Sequence, residues 1–384
     1  MNNIKINGVE FKHVAKTTYG SFIGISDKYV LKYQKAKHPY KINGIEAEYK
    51  IIKHLNDCNC FCVPKLFSFG KLDTGETYII MDRIIPKGKQ TPEDVLFSFL
   101  ALKGCGVIHG DLKANNILFD GEVAYLIDYD QAIYDPEFKI KSLEETQKKI
   151  DVIYPRHKKY CGTLSHQLKP YYTQKLDLSN TTLIKNGIST NANNGNYHDI
   201  NYSMLYLKGE RGISGRKDIL DTISFENENV LDIGCNLGEL SRYIINRNAK
   251  EVWGVEYCSQ HAAAGQMINN CLGINNCNIK SGDMSKDLLN KQFDTICLFS
   301  VLHHISNMNH AIEQVKNNAN RILLECKLSE YGEVYKDGKW QRTNTWNYLN
   351  VDNLCEAFKI KFGMKNSYVY GKVDRERYII EFKN

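Results

Sequence analysis

The stretch 109–130, H-G-D-L-K-A-N-N-I-L-F-D-G-E-V-A-Y-L-I-D-Y-D, constrains this chain more than any other. A polar loop runs into an apolar strand, and the strand ends in an acid. Asp111, Asn116 and Asp128 are oxygen-bearing side chains, of the kind that handles protons or binds a hard cation. A second punctuated strand follows about a hundred residues later. It reads N-V-L-D-I-G-C-N-L-G over 229–238, and its glycines open a helix. Two such junctions in 384 residues predict two domains, each with its own core and its own pocket.

The pattern between these landmarks sets the boundaries. Residues 1–172 read as an α+β domain of short strands around one helix, then a second helical part. Strands are expected at 29–33 and 76–81, and a helix at 43–55, where Ala47, Ile51, Ile52 and Leu55 recur at helical spacing. Another helix is expected over 92–103, with Val95, Leu96, Phe99 and Leu102 on one side, stopped by Gly104 and Gly106. Residues 173–200 read as a polar linker, since N-G-I-S-T-N-A-N-N-G-N offers little apolar surface to bury. Residues 201–384 alternate strand and helix, which predicts an α/β domain with a mostly parallel sheet. Strands are expected at 230–233, 251–255, 278–280, 295–299 and 321–325, with helices at 239–246, 260–271 and 311–318. The segments 367–370 and 377–382 read as an antiparallel pair closing that sheet.

Composition excludes several classes. A net charge of +6 permits an anionic substrate but disfavours a dedicated nucleic-acid binder. No apolar run is long enough to span a membrane, and the start M-N-N-I-K-I-N-G-V-E has no apolar core of a signal peptide. Twelve cysteines without such a signal read as reduced thiols, which points to the cytoplasm. Cys58, Cys60 and Cys62 form a C-x-C-x-C cluster without an obvious fourth ligand, so a turn is favoured over zinc. Oligomeric state is left open.

The run Asp111…Asn116…Asp128 resembles the catalytic and metal-binding loops of the protein-kinase-like superfamily. The resemblance spans about 1–170 and implies ATP and magnesium (Mg2+). It implies that T-T-Y-G-S-F-I-G covers the phosphates through Gly20 and Gly24, and that Lys32 reaches them while pairing with Glu48, with Glu46 the lesser candidate. Met81 and Arg83 fall at the hinge that meets adenine. Asp111 would orient or deprotonate the attacking hydroxyl, Lys113 would neutralise the moving phosphoryl group, Asn116 and Asp128 would hold the metal, and Asp130 would assist. His109 reads as a structural residue of the loop. The sequence departs from ordinary protein kinases. Gly110 stands where they usually carry Arg, Asp128-Tyr129-Asp130 replaces D-F-G, and no A-P-E segment follows. The chain is similar here to small atypical kinases and to bacterial kinases of lipopolysaccharide and sugar hydroxyls. That similarity favours a glycan or small-molecule acceptor over a protein. The basic run Lys148, Lys149, Arg156, Lys158 and Lys159 reads as a solvated face in preference to an anion site.

Asp232-Ile-Gly234-Cys-Asn236-Leu-Gly238 lacks the spacing that admits a pyrophosphate, so its ligand is expected to carry no diphosphate. It resembles motif I of class I methyltransferases, which implies S-adenosylmethionine. The resemblance implies that Glu256 takes the ribose hydroxyls, and that Asp283 accepts from the adenine amino group with Met284 beside the ring. The acceptor site is implied near 299–304, with His303 and His304 as candidate bases. Arg211 and Arg216 could clamp an anion or the donor's carboxylate.

Together the two resemblances are to bifunctional enzymes that cap polysaccharide chains by phosphorylation and methylation, here with the kinase part first. Two alternatives stay open. A non-catalytic kinase-like half could regulate a methyltransferase acting on RNA or a small molecule, or a protein kinase could be fused to an independent methyltransferase.

Overall fold

The computed structural model describes residues 3–16, 21–34, 43–139, 141–153, 167–168, 176–182, 197–202, 205–210, 212–336, 339–373 and 376–384. They divide into two compact units. One comprises Met1–Asn186 with Tyr202–Tyr206 and Met267–Ile274, and the other comprises Gly187–Asn201, Leu207–Gln266 and Asn275–Asn384.

The first unit is mixed α+β. Its six strands are β1 (Ile4–Ile6), β2 (Val9–Lys16), β3 (Phe22–Ile25), β4 (Tyr29–Gln34), β5 (Leu66–Lys71) and β6 (Thr77–Asp82), in the order β1-β2-β3-β4-β6-β5 with antiparallel neighbours. Phe11, Leu31, Tyr78 and Ile80 bury one face of this sheet, as alternate residues of paired strands must. The helix Ile45–Asp57 turns Ile45, Glu48, Ile51, Ile52 and Leu55 inward, at the three- and four-residue intervals of one helical face. Glu48 is the exception in that apolar row, and a carboxylate only 1% exposed requires partners.

The helix Pro92–Gly104 starts with a capping box. Thr91 accepts from the Asp94 amide while Asp94 accepts from the Thr91 amide, and Pro92 takes the first turn. The one-sided packing expected for this helix is not observed: every residue from Asp94 to Gly104 is buried. A helix enclosed on all sides has no polar face, so its apolar positions carry no stripe. Short strands follow: β7 (Val107–Ile108), β8 (Ile117–Phe119), β9 (Ala124–Leu126) and β10 (Ile133–Tyr134). Strand β8 pairs antiparallel with β9, and this hairpin carries the ends of the 109–130 stretch back toward each other. A helix Leu143–Ile153 comes next, then the brief strands β11 (Leu176–Asp177), β12 (Ile200–Asn201) and β13 (Leu205–Leu207).

The second unit is α/β. Strands β14 (Asn229–Ile233), β15 (Glu251–Glu256), β16 (Cys277–Ser281), β17 (Phe293–Phe299) and β18 (Ala319–Lys327) are parallel. Strands β21 (Asn366–Lys372) and β22 (Arg377–Lys383) join antiparallel, giving the order β16-β15-β14-β17-β18-β22-β21. The order reverses direction at β14, between β15 and β17. In an open α/β sheet, ligands bind at the carboxyl ends of strands beside such a switch point. Helices Ser214–Leu220, Glu239–Ile245, Ser259–Leu272, Met308–Asn318 and Val351–Phe362 accompany the sheet. A hairpin of β19 (Ser329–Lys336) and β20 (Lys339–Asn347) and the helix after it were not anticipated by the alternation of strand and helix. Trp346 from that hairpin is buried against Phe358, with ring centroids 5.5 Å apart.

Of the segment expected as a linker, 173–175 and 183–196 lie outside the described residues. Its described ends are packed: Leu176, Leu178, Thr181, His198 and Ile200 are buried. Among the described residues no helix is long and apolar enough to cross a membrane.

Candidate functional sites

In the first unit the buried Glu48 finds its partner in Lys32. The ammonium is 2.9 Å from one Glu48 oxygen and 2.5 Å from Asp128 Oδ1. Register explains the placement: Lys32 lies on β4 opposite Ile79 of β6, and Glu48 stands on the inward face of the next helix. Burial alone would lower the Lys32 pKa, but Glu48, Asp128 and Asp130 outweigh it and hold the value raised. Glu46 forms only an exposed pair with Lys50.

Asp128 has φ +67, a left-handed conformation that non-glycine residues adopt rarely. Two groups hold the chain in that conformation. The Glu48 carboxylate accepts from the Tyr129 amide, and the buried Asn43 side-chain amide donates to the carbonyls of Tyr129 and Ala132. His109 bonds the Ile127 carbonyl through Nε2 at 2.9 Å and is fully buried, and burial holds its pKa down. A neutral, enclosed imidazole braces the loop.

Asp111 Oδ2 lies 2.5 Å from Lys113 Nζ and 3.1 Å from Asn116 Nδ2, and Asn116 also donates to the Asp111 carbonyl. Burial would lower the Lys113 pKa, but the Asp111 partnership raises it. Lys32, Glu48, Asp111, Lys113, Asn116 and Asp128 thus gather around one loop pair. Asn116 Nδ2 is turned to Asp111, and the Ile127 amide, next to Asp128, donates to the Asn116 backbone carbonyl. Two protein oxygens suit a cation that completes its shell with water and phosphate. Among the described residues no group of three or more His, Cys, Asp or Glu could hold a metal ion by itself.

Other expected members lie elsewhere. Gly20 is outside the described residues. Gly24 sits within β3, where a Cβ would approach Phe11 Cβ to 3.1 Å, so close strand packing favours a glycine there. Met81 pairs with Val30 of β4 and Leu66 of β5, one residue before β6 ends. The Arg83 amide donates to the Lys28 carbonyl and its guanidinium to the Ser26 carbonyl, which ties the segment after β6 to the turn before β4. Lys148 and Lys149 pair with Glu144 and with Asp135 and Glu137, the solvated face anticipated, while Arg156, Lys158 and Lys159 lie outside the described residues. Cys60 and Cys62 sulfurs are 3.7 Å apart, and Cys58 Sγ meets His54 Nε2 at 3.7 Å.

In the second unit the turn after β14 carries Gly234 at φ +74, Asn236 at φ +51 and Gly238 at φ +78. A Cβ on Gly234 would come within 2.4 Å of Val301, so glycine is required by space and by backbone alike. Asp232 points back under this turn and accepts from Ser241 at 2.5 Å, tying the strand end to the helix Glu239–Ile245. Burial pushes its carboxyl up to about 6. Glu256, at the end of β15, accepts from the Asn236 and Cys258 amides with one oxygen each. These bonds fix the carboxylate at the rim of the turn and leave each oxygen further acceptor capacity.

Asp283 accepts from Ser285 and faces Lys286, and these contacts hold its pKa down despite partial burial. Met284 is buried in the apolar core of the unit. Arg211 is outside the described residues. The Arg216 guanidinium does not stand open as an anion clamp. It forms a two-pronged pair with Glu325 at 2.5 and 2.7 Å, and Nη1 meets His198 Nε2 at 2.8 Å. Ser300, at φ +55, donates to the same Glu325. This buried cluster supports the carboxyl ends of β17 and β18.

His303 and His304 separate in character. His303 is buried beside Trp346, and burial, with His304, Arg377 and Lys327 nearby, pushes its pKa down to about 2. Glu330, 3.4 Å away, is already paired with Arg377 at 2.7 Å, so burial keeps His303 neutral. His304 holds the Glu333 carbonyl through Nδ1 at 2.9 Å, and its exposure leaves Nε2 the better placed nitrogen for a proton. Sequence reasoning missed Asn43, Ser241, Ser300 and Glu325. Their partners lie on other elements, and no local spacing marks them.

The comparisons with known proteins fall on the same two regions. The family described as "RIO domain" matches residues 80–162, and the family described as "Methyltransferase domain" matches residues 210–361. No curated protein sequence matches the chain. Among solved structures, the N-terminal domain of EvdMO1 in the presence of SAH and D-fucose is similar at 11% identity and TM-score 0.40, over 48% of this chain and 89% of that one. An S-adenosylmethionine dependent methyltransferase from Mesorhizobium loti is similar at 12% identity and TM-score 0.34, over 45% of this chain and all of its own. The chain joins an atypical-kinase-like domain to a methyltransferase domain.

Proposed function

We propose that the chain is a bifunctional transferase. Its first domain, 1–172, moves the γ-phosphoryl group of ATP to a hydroxyl. Its last, 201–384, methylates an acceptor from S-adenosylmethionine, and 173–200 joins them. The observation that carries the first activity is the Lys32–Glu48–Asp128 contact beside Asp111. Phosphoryl transfer depends on positioning and charge neutralisation, and these side chains supply both. Asp111 accepts the proton of the attacking hydroxyl, and Lys113 offsets charge on the moving group. Lys32 holds the phosphates, kept charged by Glu48. Asn116 and Asp128 would hold magnesium, which when bound neutralises the phosphate oxygens.

The second activity rests on the Gly234–Gly238 turn and the fixed carboxylate of Glu256. A sulfonium donor needs alignment and dry surroundings more than covalent help. Glu256 takes the ribose hydroxyls, Asp283 the adenine amino group, and His304 Nε2 the acceptor proton. A glycan or small-molecule hydroxyl is the favoured acceptor of both steps, in a reducing, cytoplasmic setting where the thiols stay free.

Dual labelling tests this reading. Candidate glycans, nucleosides and proteins are offered with γ-labelled ATP and methyl-labelled donor. Asp111→Asn is expected to remove phosphate label and Gly234→Arg methyl label, each sparing the other when the acceptor is supplied in the form that step requires. Phosphate label that survives Asp111→Asn, or none with wild-type protein, would leave the regulatory alternative for the first domain.

A further inference from the structure

Gly110 gives the catalytic loop no side chain of its own to anchor it, yet Asp111 must keep its carboxylate aimed. The two peptide groups that flank Asp111 are both held by one residue, Gln167, which comes from beyond the RIO-domain match. Gln167 Nε2 donates to the Gly110 carbonyl at 2.9 Å, and Gln167 Oε1 accepts from the Leu112 amide at 3.2 Å. Gly110, Leu112 and Gln167 are all buried, so water has little access to replace either bond. Gly110 itself is at φ +81, a conformation open to a glycine that its neighbours must nonetheless hold.

We propose that Gln167 is a positioning residue for phosphoryl transfer: its side-chain amide grips the backbone on both sides of Asp111 and fixes the direction of that carboxylate. The proposal rests on the phosphotransferase reading of the first domain. The arrangement works as a two-bond clamp. One bond alone would let the loop pivot about it, whereas a donor and an acceptor on the same rigid amide fix both peptide planes. His109 holds the loop to Ile127 from one side, and Gln167 supplies the second point of support. Both bonds fall on the peptide groups that flank Asp111, so its influence falls on orientation of the hydroxyl and not on holding ATP.

The test uses the full chain with magnesium and ATP, reading ADP formed with water as acceptor, where the γ-phosphoryl group passes to water oxygen and ADP departs. Gln167→Met keeps length and removes both polar groups. Expected is a fall in kcat of roughly 10- to 100-fold, the scale of a misplaced reacting group, with KM for ATP within about twofold. Gln167→Glu retains the acceptor and regains a donor only when its carboxyl is protonated, so its activity relative to wild type should rise as pH falls. Wild-type kcat in Gln167→Met, parallel loss of ATP affinity and kcat, or a Gln167→Glu ratio flat with pH would each overturn the proposal.

Amide hydrogen exchange supplies a readout independent of turnover. The Leu112 amide should exchange faster in Gln167→Met, with β4 and β6 unchanged. If wild-type ADP formation is absent or indifferent to Asp111→Asn, the phosphotransferase reading fails. The clamp is then judged by exchange alone, and unchanged Leu112 exchange overturns it.

Discussion

Each candidate site holds a buried ionisable residue, Lys32 in the first and Asp232 in the second. Lys32 is 6% exposed and its partner Glu48 is 1% exposed, so removing either leaves an uncompensated ion. Lys32→Met is expected to abolish phosphate transfer and to destabilise the first domain by roughly 3 kcal/mol, as denaturant unfolding would measure. Asp232 is the second. Its carboxyl sits at about 6 in the fold against an ordinary value near 3.8, so the folded state binds the proton more tightly than the unfolded chain. The sign follows: stability is fully present below about pH 4 and is lost as pH rises through about 6. Asp232→Asn keeps an acceptor for Ser241 without the charge. Between pH 4 and pH 7, wild type should lose roughly 3 kcal/mol relative to that variant, read from paired unfolding curves. Curves that stay parallel across this range would contradict the burial argument.

At the scale of elements, local signals and enclosure compete. The parallel strands β14, β15 and β17 were legible because each is an apolar run followed by a turn, and the helix Ile45–Asp57 because its inward face recurs at fixed intervals. The helix Pro92–Gly104 was legible in extent but not in packing, since a helix enclosed on all sides has no stripe to read. The β19–β20 hairpin was not legible at all. Its strands mix Lys, Glu, Asn and Tyr with few apolar residues, and Trp346 anchors it in the core. The glycine turn and the Asp111–Asn116–Asp128 run stood out because their residues lie close in sequence. The supports did not: Asn43 and Gln167 act across intervals of 55 to 89 residues.

Two element-level outcomes follow. Thr91→Ala removes one bond of the capping box and should cost about 1 kcal/mol. Asp94→Ala should cost more, because Asp94 also accepts from the Thr182 amide and hydroxyl; equal losses in thermal unfolding would contradict this. Gly234→Ala should destabilise the second domain by roughly 1–3 kcal/mol through its left-handed φ and the approach to Val301. Val301→Ala in the same chain should recover the clash but not the backbone strain, a non-additivity that a double-mutant cycle reads.

At the scale of the molecule, the account requires two pockets that work as separate sites on one chain. Tethering keeps the product of one site at high local concentration for the other, which favours successive action on a shared acceptor. The order of the two steps then becomes measurable: acceptor pre-treated with one activity should become the better substrate of the other. If methyl incorporation into every acceptor tested ignores both ATP and Asp111→Asn, the coupling fails although both activities could stand.

The most direct measurement is calorimetric titration of the intact chain with magnesium–ATP and with S-adenosylmethionine, singly and each in the presence of the other. The account predicts one site for each ligand and no competition. Asp128→Ala should weaken only the nucleotide, and Gly234→Arg should weaken only the methyl donor. Failure of both ligands to bind, or displacement of one by the other from a single site, would contradict it.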